Sequence, residues 1–190
     1  MTNLVTAARE VLVWLDRHGW EACLIGGLAI QRWGEPRLTQ DVDVTVVVPV
    51  GQEPRLLDAI LTGFEIRRLD ARAFALQYRV LLLRAACGVA IDLALGGSAF
   101  EAGCVQRSST WEIEPGCAVR TCSAEDLIIL KLVAGRPRDV ADIEGVVARQ
   151  GPALDTEWIR RWATAFSELK EDSDLVRPFE AALARSRSTN

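Results

Sequence analysis

Histidine is nearly missing from this chain: His18 is the only one in 190 residues. A lone imidazole leaves no partner for a histidine-ligated metal centre and argues against histidine-dependent triads. Placed before Gly19, His18 reads instead as the cation that closes a helix. Lysine is almost as scarce, with Lys131 and Lys170 against twenty arginines, an excess read as base composition of the gene. Long hydrophobic runs are absent too. No stretch reaches membrane-spanning length, and the N-terminus lacks a basic region followed by a signal-like apolar core. The expectation is a cytoplasmic protein without a membrane partner. The five cysteines (Cys23, Cys87, Cys104, Cys117, Cys122) are odd in number and hold no Cys-x-x-Cys pair. Neither a disulfide framework nor zinc is indicated, and buried free thiols are expected. A net charge of −4 speaks against a constitutive nucleic-acid binder but leaves room for a local basic groove.

Against those absences stands a valine run headed by acids, Asp41-Val-Asp-Val-Thr-Val-Val-Val48. Side chains alternate along a strand, so Val42, Val44, Val46 and Val48 share one face and Asp41 and Asp43 leave from the other. A third acid, Asp92, sits between apolar neighbours in Ile91-Asp92-Leu93. Carboxylates at the end of a core strand need partners, because burying an unpaired charge is costly. A hard divalent cation such as Mg²⁺, which takes carboxylate and phosphate oxygens together, is the obvious one. With 49% hydrophobic residues in 190, the chain can bury one core with a helical appendage.

Helical spacing of Leu4, Ala8, Val11, Leu12 and Leu15 predicts a helix over 4–18. A short buried strand over 22–25 runs into Gly26-Gly27, a helix over 28–33 follows, and 34–40 is a loop. The valine strand occupies 41–48, and Leu56, Leu57, Ile60 and Leu61 give the next helix its apolar face. A short helix is expected near 71–76, then a hairpin of 79–84 and 89–95 turning at Cys87-Gly88. Gly96-Gly97 leaves that hairpin, and Pro115-Gly116 marks a turn between short strands. From Ser123 the pattern becomes helical. Ser123 and Asp126 have capping-box spacing for a helix over 124–134, and Pro137 opens another to about 149. Two amphipathic helices are predicted over 156–170 and 174–185, with a polar tail, 186–190, that frays. The fold class expected is α/β (α+β): a core of mixed twisted sheet flanked by helices over 1–122, and a helical region packed on it over 123–190.

A glycine turn at a helix start exposes backbone N–H groups and the positive helix end, which suits a phosphate. Gly26-Gly27, Asp41-Val42-Asp43 and Asp92, in that order, resemble the signature of DNA polymerase beta superfamily nucleotidyltransferases. The segment Ser123-Ala-Glu-Asp-Leu-Ile-Ile-Leu-Lys131-Leu-Val-Ala-Gly-Arg136-Pro-Arg138-Asp139-Val-Ala-Asp142 is similar to the Leu-x-x-x-Lys-Leu…Arg-x-Lys/Arg-Asp-x-x-Asp stretch of the AbiEii-type group, which includes toxins of toxin–antitoxin pairs. Arg37-Leu-Thr39-Gln-Asp41-Val-Asp43 matches that group's Arg-x-Thr-x-Asp-x-Asp pattern. The resemblance spans about residues 22–150.

What it implies is transfer of a nucleotide from a nucleoside triphosphate to a hydroxyl, pyrophosphate leaving, with RNA (a tRNA 3′ end) as acceptor and an antitoxin protein as partner. Asp41, Asp43 and Asp92 would be catalytic and hold Mg²⁺ or Mn²⁺, with Asp92 helping to deprotonate the acceptor. Gly26 and Gly27 would meet phosphate through backbone N–H groups; the serine often found at the second position is absent. Arg37, Thr39, Arg136 and Arg138 would bind nucleotide or RNA phosphate. Lys131 would place a point charge on the triphosphate, and Asp142 would orient Lys131 or contact the acceptor. Blander roles stand beside these: a plain turn at Gly26-Gly27, a strand start capped or solvated by Asp41 and Asp43, an arginine paired with Asp92, a snorkelling lysine at 131, solvated surface arginines at 136 and 138, and an Asp142–Arg138 bridge on one helix face. Two other functions compete: transfer to a small-molecule antibiotic, favoured by an enclosed acidic pocket, and a catalytically silent binding module, disfavoured by the intact acids.

Overall fold

The computed structural model describes residues 2–188. Its elements are α1 (Thr2–Arg17), β1 (Ala22–Leu24), α2 (Gly26–Trp33), β2 (Asp41–Val47), α3 (Glu53–Ile60), β3 (Glu65–Ile66), α4 (Ala71–Tyr78), β4 (Val80–Arg84), β5 (Ala90–Gly96), α5 (Ala99–Arg107), β6 (Ser109–Glu114) and β7 (Cys117–Thr121). Helices α6 (Ala124–Ala134), α7 (Pro137–Gln150), α8 (Thr156–Lys170) and α9 (Arg177–Ser188) complete the chain. The chain divides into two compact units. One holds the residues up to Leu28 with Leu38–Cys122; the other holds Ala29–Arg37 with everything from Ser123 onward.

In the first unit, among the described residues, a seven-stranded mixed sheet has the order β3-β4-β5-β2-β1-β7-β6. Its centre is the parallel pair β2 and β5, in register from Asp41↔Ala90 through Asp43↔Asp92 to Val47↔Gly96. β1 lies antiparallel to β2 and parallel to β7, while β4 lies antiparallel to β5. The alternation expected of the valine run is what orients β2: Val42, Val44, Val46 and Val48 are fully buried. They join Ala8, Val11 and Leu15 of α1, Leu56, Leu57 and Ile60 of α3, and Ile91 and Leu93 of β5 in one apolar cluster. Removing a leucine-sized side chain from such a cluster costs about 2–5 kcal/mol.

The second unit is helical apart from its short loop. Helix α6 packs on α7 and α8, and α7 on α9. α6 is apolar on nearly every side, which suits a helix enclosed by others. Its acidic start is capped by Ser123, whose hydroxyl accepts the Asp126 N–H at 3.1 Å, and the buried Asp126 carboxylate accepts the Trp158 indole N–H at 3.2 Å. Segment 29–37 joins these helices through Arg149 and Gln150, which donate to the Gly34 and Trp33 carbonyls.

Several elements depart from the sequence expectation. The helix α5 was not expected between the hairpin and β6, although Ser98 and Glu101 form a reciprocal capping box at its start. The two-residue β3 is too short for periodicity to reveal. α9 begins at Arg177 and continues to Ser188, so 186–188, expected to fray, are helical, while 189–190 lie outside the described residues.

Candidate functional site

Asp41 and Asp43 leave β2 on the face opposite the valines, and Asp92 leaves β5 directly beside Asp43. All three are half-buried, and one carboxylate oxygen of each lies within 4.8 Å of the others. Each acid is held by a different local partner. Thr39 Oγ1 donates to Asp41 Oδ1 at 3.0 Å. The Gly27 N–H donates to Asp43 Oδ2 at 3.3 Å. Asp92 Oδ1 is ion-paired with the Arg67 guanidinium. Three mutually repelling carboxylates with hard oxygen donors at this spacing fit a divalent cation of the Mg²⁺ or Mn²⁺ type.

The glycine turn is shaped by its closeness to these acids. Gly26 has φ +60°, and a Cβ there would stand 1.9 Å from Asp43 Oδ2. A Cβ on Gly27 would stand 2.3 Å from Thr39 Oγ1. Both positions therefore need glycine, one for conformation and both for space. The helix also starts earlier than expected, at Gly26 rather than 28, and its Gly27 N–H is aimed at the Asp43 side chain.

In the second unit, the motif residues form an alternating chain of charges. Arg37 grips Asp142 with two bonds, Nε to Oδ1 at 2.7 Å and Nη2 to Oδ2 at 2.9 Å. Lys131 Nζ lies 2.6 Å from Asp142 and 2.9 Å from Asp139. Arg136 Nε lies 2.7 Å from Asp139. Asp139, third residue of α7, also accepts the Arg136 backbone N–H at 3.1 Å, as an acid at that position can. Lys131 is only 4% exposed, so it does not snorkel, and Asp142 is held by Lys131 and Arg37 rather than by Arg138. Arg138 itself is exposed. Burial alone would push both acids up, but the cations outweigh it. Hydrogen bonds from Arg136 and Lys131 bring Asp139 down to about 2, and those from Arg37 and Lys131 hold Asp142 below the usual carboxylate range.

Two residues of these clusters were given no role from sequence. Asp139 lay inside the quoted motif, and its place three residues after Arg136 was the available signal. Arg67 gave none, because its contact with Asp92 depends on the pairing of β3 with β4.

The glycine turn into α2, Asp41 and Asp43 on β2 and Asp92 on β5 are the residues by which the chain resembles nucleotidyltransferases. The family model described as "Nucleotidyl transferase AbiEii toxin, Type IV TA system" matches residues 15–162, and the chain belongs to this family. No curated protein matches it. Among solved structures it is similar to an antigenic nucleotidyltransferase-like protein from Paracoccidioides brasiliensis, with 17% identity, 96% of this chain and 93% of the other covered, and a TM-score of 0.53. That likeness places the chain in the nucleotidyltransferase-like fold. The solution structure of the antibiotic-resistance factor ANT(2'')-Ia is similar at 21% identity, covering 99% and 93% of the two chains, with a TM-score of 0.47. The crystal structure of ANT(2")-Ia with adenylyl-2"-tobramycin is similar at 22%, covering 97% of each chain, with a TM-score of 0.46. No described helix is long and apolar enough to cross a membrane.

Proposed function

We propose that this chain is a Mg²⁺-dependent enzyme that moves a nucleoside monophosphate from a nucleoside triphosphate to a hydroxyl of RNA, the tRNA 3′ end being the acceptor class. The observation that carries this reading is the convergence of Asp41, Asp43 and Asp92 within 4.8 Å in a member of a nucleotidyltransferase toxin family. Asp41 and Asp43 would hold the ion that accompanies the triphosphate, and Asp92 would complete the acidic set. When bound, a divalent cation would supply charge stabilisation at the attacking and leaving oxygens of an in-line displacement. The acceptor oxygen forms its bond to the α-phosphorus as the bridging bond to pyrophosphate breaks. The acceptor proton leaves to Asp92.

Thr39 and the Gly27 N–H fix the orientation of Asp41 and Asp43, so little rearrangement is needed at the moment of reaction. In this reading Gly26 and Gly27 also meet phosphate. Lys131 carries charge to the triphosphate, Asp142 orients Lys131, and Arg37, Arg136 and Arg138 bind nucleotide or RNA phosphate. Arg37, Asp142, Lys131, Asp139 and Arg136 form one ion-paired chain that holds these motif residues together. The toxin role, a cognate antitoxin and a cytoplasmic site of action follow from the family reading.

The test is incubation with each α-labelled nucleoside triphosphate, Mg²⁺ and total RNA, beside the Asp41→Ala protein. Label entering RNA with the wild type alone is the expected result. Absence of incorporation into RNA from every triphosphate would overturn the RNA assignment.

A further inference from the structure

Arg67 reaches the acid cluster from two strands away. Its backbone N–H donates to the Leu82 carbonyl at 3.0 Å, Leu82 is the register partner of Asp92, and Asp92 is the register partner of Asp43. Arg67, Leu82, Asp92 and Asp43 thus form one row across the sheet. Cross-strand neighbours project to the same face, so the long arginine side chain passes over Leu82 to the carboxylate beyond it. Its guanidinium pairs with Asp92 Oδ1. The pair is open to solvent, with side chains 27% and 37% exposed, so desolvation does not lock it in place and exchange with another cation is feasible.

We propose that Arg67 is a resident counter-cation that competes with a divalent ion for Asp92. With Arg67 paired, the three acids carry two net negative charges rather than three, and one ligand of the ion is already taken. An incoming ion must displace the guanidinium, bind through Asp92 Oδ2 against the repulsion of the guanidinium beside it, or bind without Asp92. Arg67 therefore sets how tightly the site holds metal before nucleotide arrives. It is a positioning residue acting through Asp92. The inference rests on the metal reading given above and adds to it the control of metal affinity.

The experiment is a Mn²⁺ titration of the nucleotide-free protein followed by electron paramagnetic resonance, which needs no turnover. Wild type, Arg67→Gln and Arg67→Lys are compared, with thermal melting to confirm that each is folded. Arg67→Gln is expected to bind Mn²⁺ about tenfold more tightly, the effect of removing a unit charge roughly 6 Å from a dication in a water-like dielectric. Arg67→Lys, which keeps the charge, should stay close to wild type. Equal or weaker Mn²⁺ binding by Arg67→Gln would overturn this inference while leaving the metal reading intact. Failure of all three proteins to bind Mn²⁺ overturns both.

Discussion

Asp43 and Asp92 stand opposite one another on the adjacent parallel strands β2 and β5, as register partners in one row across the sheet. Their oxygens, with one from Asp41, lie within 4.8 Å, close enough for mutual repulsion to matter when no cation is present. Asp41→Asn and Asp43→Asn are each expected to lower nucleotide transfer on the order of a hundredfold or more, because a lost ligand removes charge stabilisation from the transition state. Melting temperatures measured in a chelator should equal or exceed that of the wild type. Near-normal turnover at saturating Mg²⁺ would remove the metal assignment.

Gly26 gives a second handle on the same acids. In Gly26→Ala the new Cβ meets Asp43 Oδ2 at 1.9 Å, at a backbone φ of +60°. The residue must strain and the carboxylate must move. A loss of more than about 1 kcal/mol in urea unfolding is expected, together with weaker Mn²⁺ binding. Wild-type stability and Mn²⁺ affinity in this variant would show that the turn does not constrain Asp43.

Lys131 is set against two carboxylates with 4% exposure. Lys131→Met would leave Asp139 and Asp142 with one cation fewer inside the helical unit. Removing one partner of a buried ionic group costs about 3–5 kcal/mol, so a marked fall in urea midpoint at neutral pH is expected, with Lys131→Arg falling less. Activity lost in Lys131→Met must therefore be read beside its stability. A fully stable methionine variant would show that the buried charges do not depend on Lys131.

Acid should loosen the same cluster in a defined window. Asp139 titrates near 2 in the folded protein, against an ordinary value of 3.8. Its folded pKa is depressed, so the unfolded chain binds the proton first and the stabilisation is complete only above about pH 4. It declines as pH falls toward 2, by an amount of order 2 kcal/mol. Asp142, shifted in the same direction, adds to the decline. Denaturant melts of wild type and Asp139→Asn from pH 5 to pH 2 should converge toward the acid end. Parallel curves across that range would contradict the assignment.

What could be read from the residues alone was whatever repeats with a local period or sits in a short motif. The alternation of the valine run oriented β2, and the apolar spacing of Leu4, Ala8, Val11 and Leu15 marked α1. The acids and the glycine pair were legible as a motif. Long-range ion pairs were not: Arg37 meets Asp142 across 105 residues of sequence, and no local pattern encodes that meeting. The same holds for Arg67, 25 residues before Asp92 and just past a strand of two residues. Segment 29–37 likewise reads as a short helix and the start of a loop between core elements, yet its Trp33 and Gly34 carbonyls are bound by the end of α7. α5 was different in kind, since the Ser98 and Glu101 pair that caps it was present in the sequence and simply lacked a strong apolar stripe behind it.

Thr39 occupies the space beside Gly27 so closely that a Cβ there would come within 2.3 Å of its hydroxyl oxygen. The serine common at that place in the wider superfamily and the threonine found here thus exclude one another sterically. Gly27→Ser alone should be deleterious, while its combination with Thr39→Ala should recover part of the loss, because the smaller side chain vacates the room. The two positions are epistatic: the order in which such changes arise decides whether an intermediate survives.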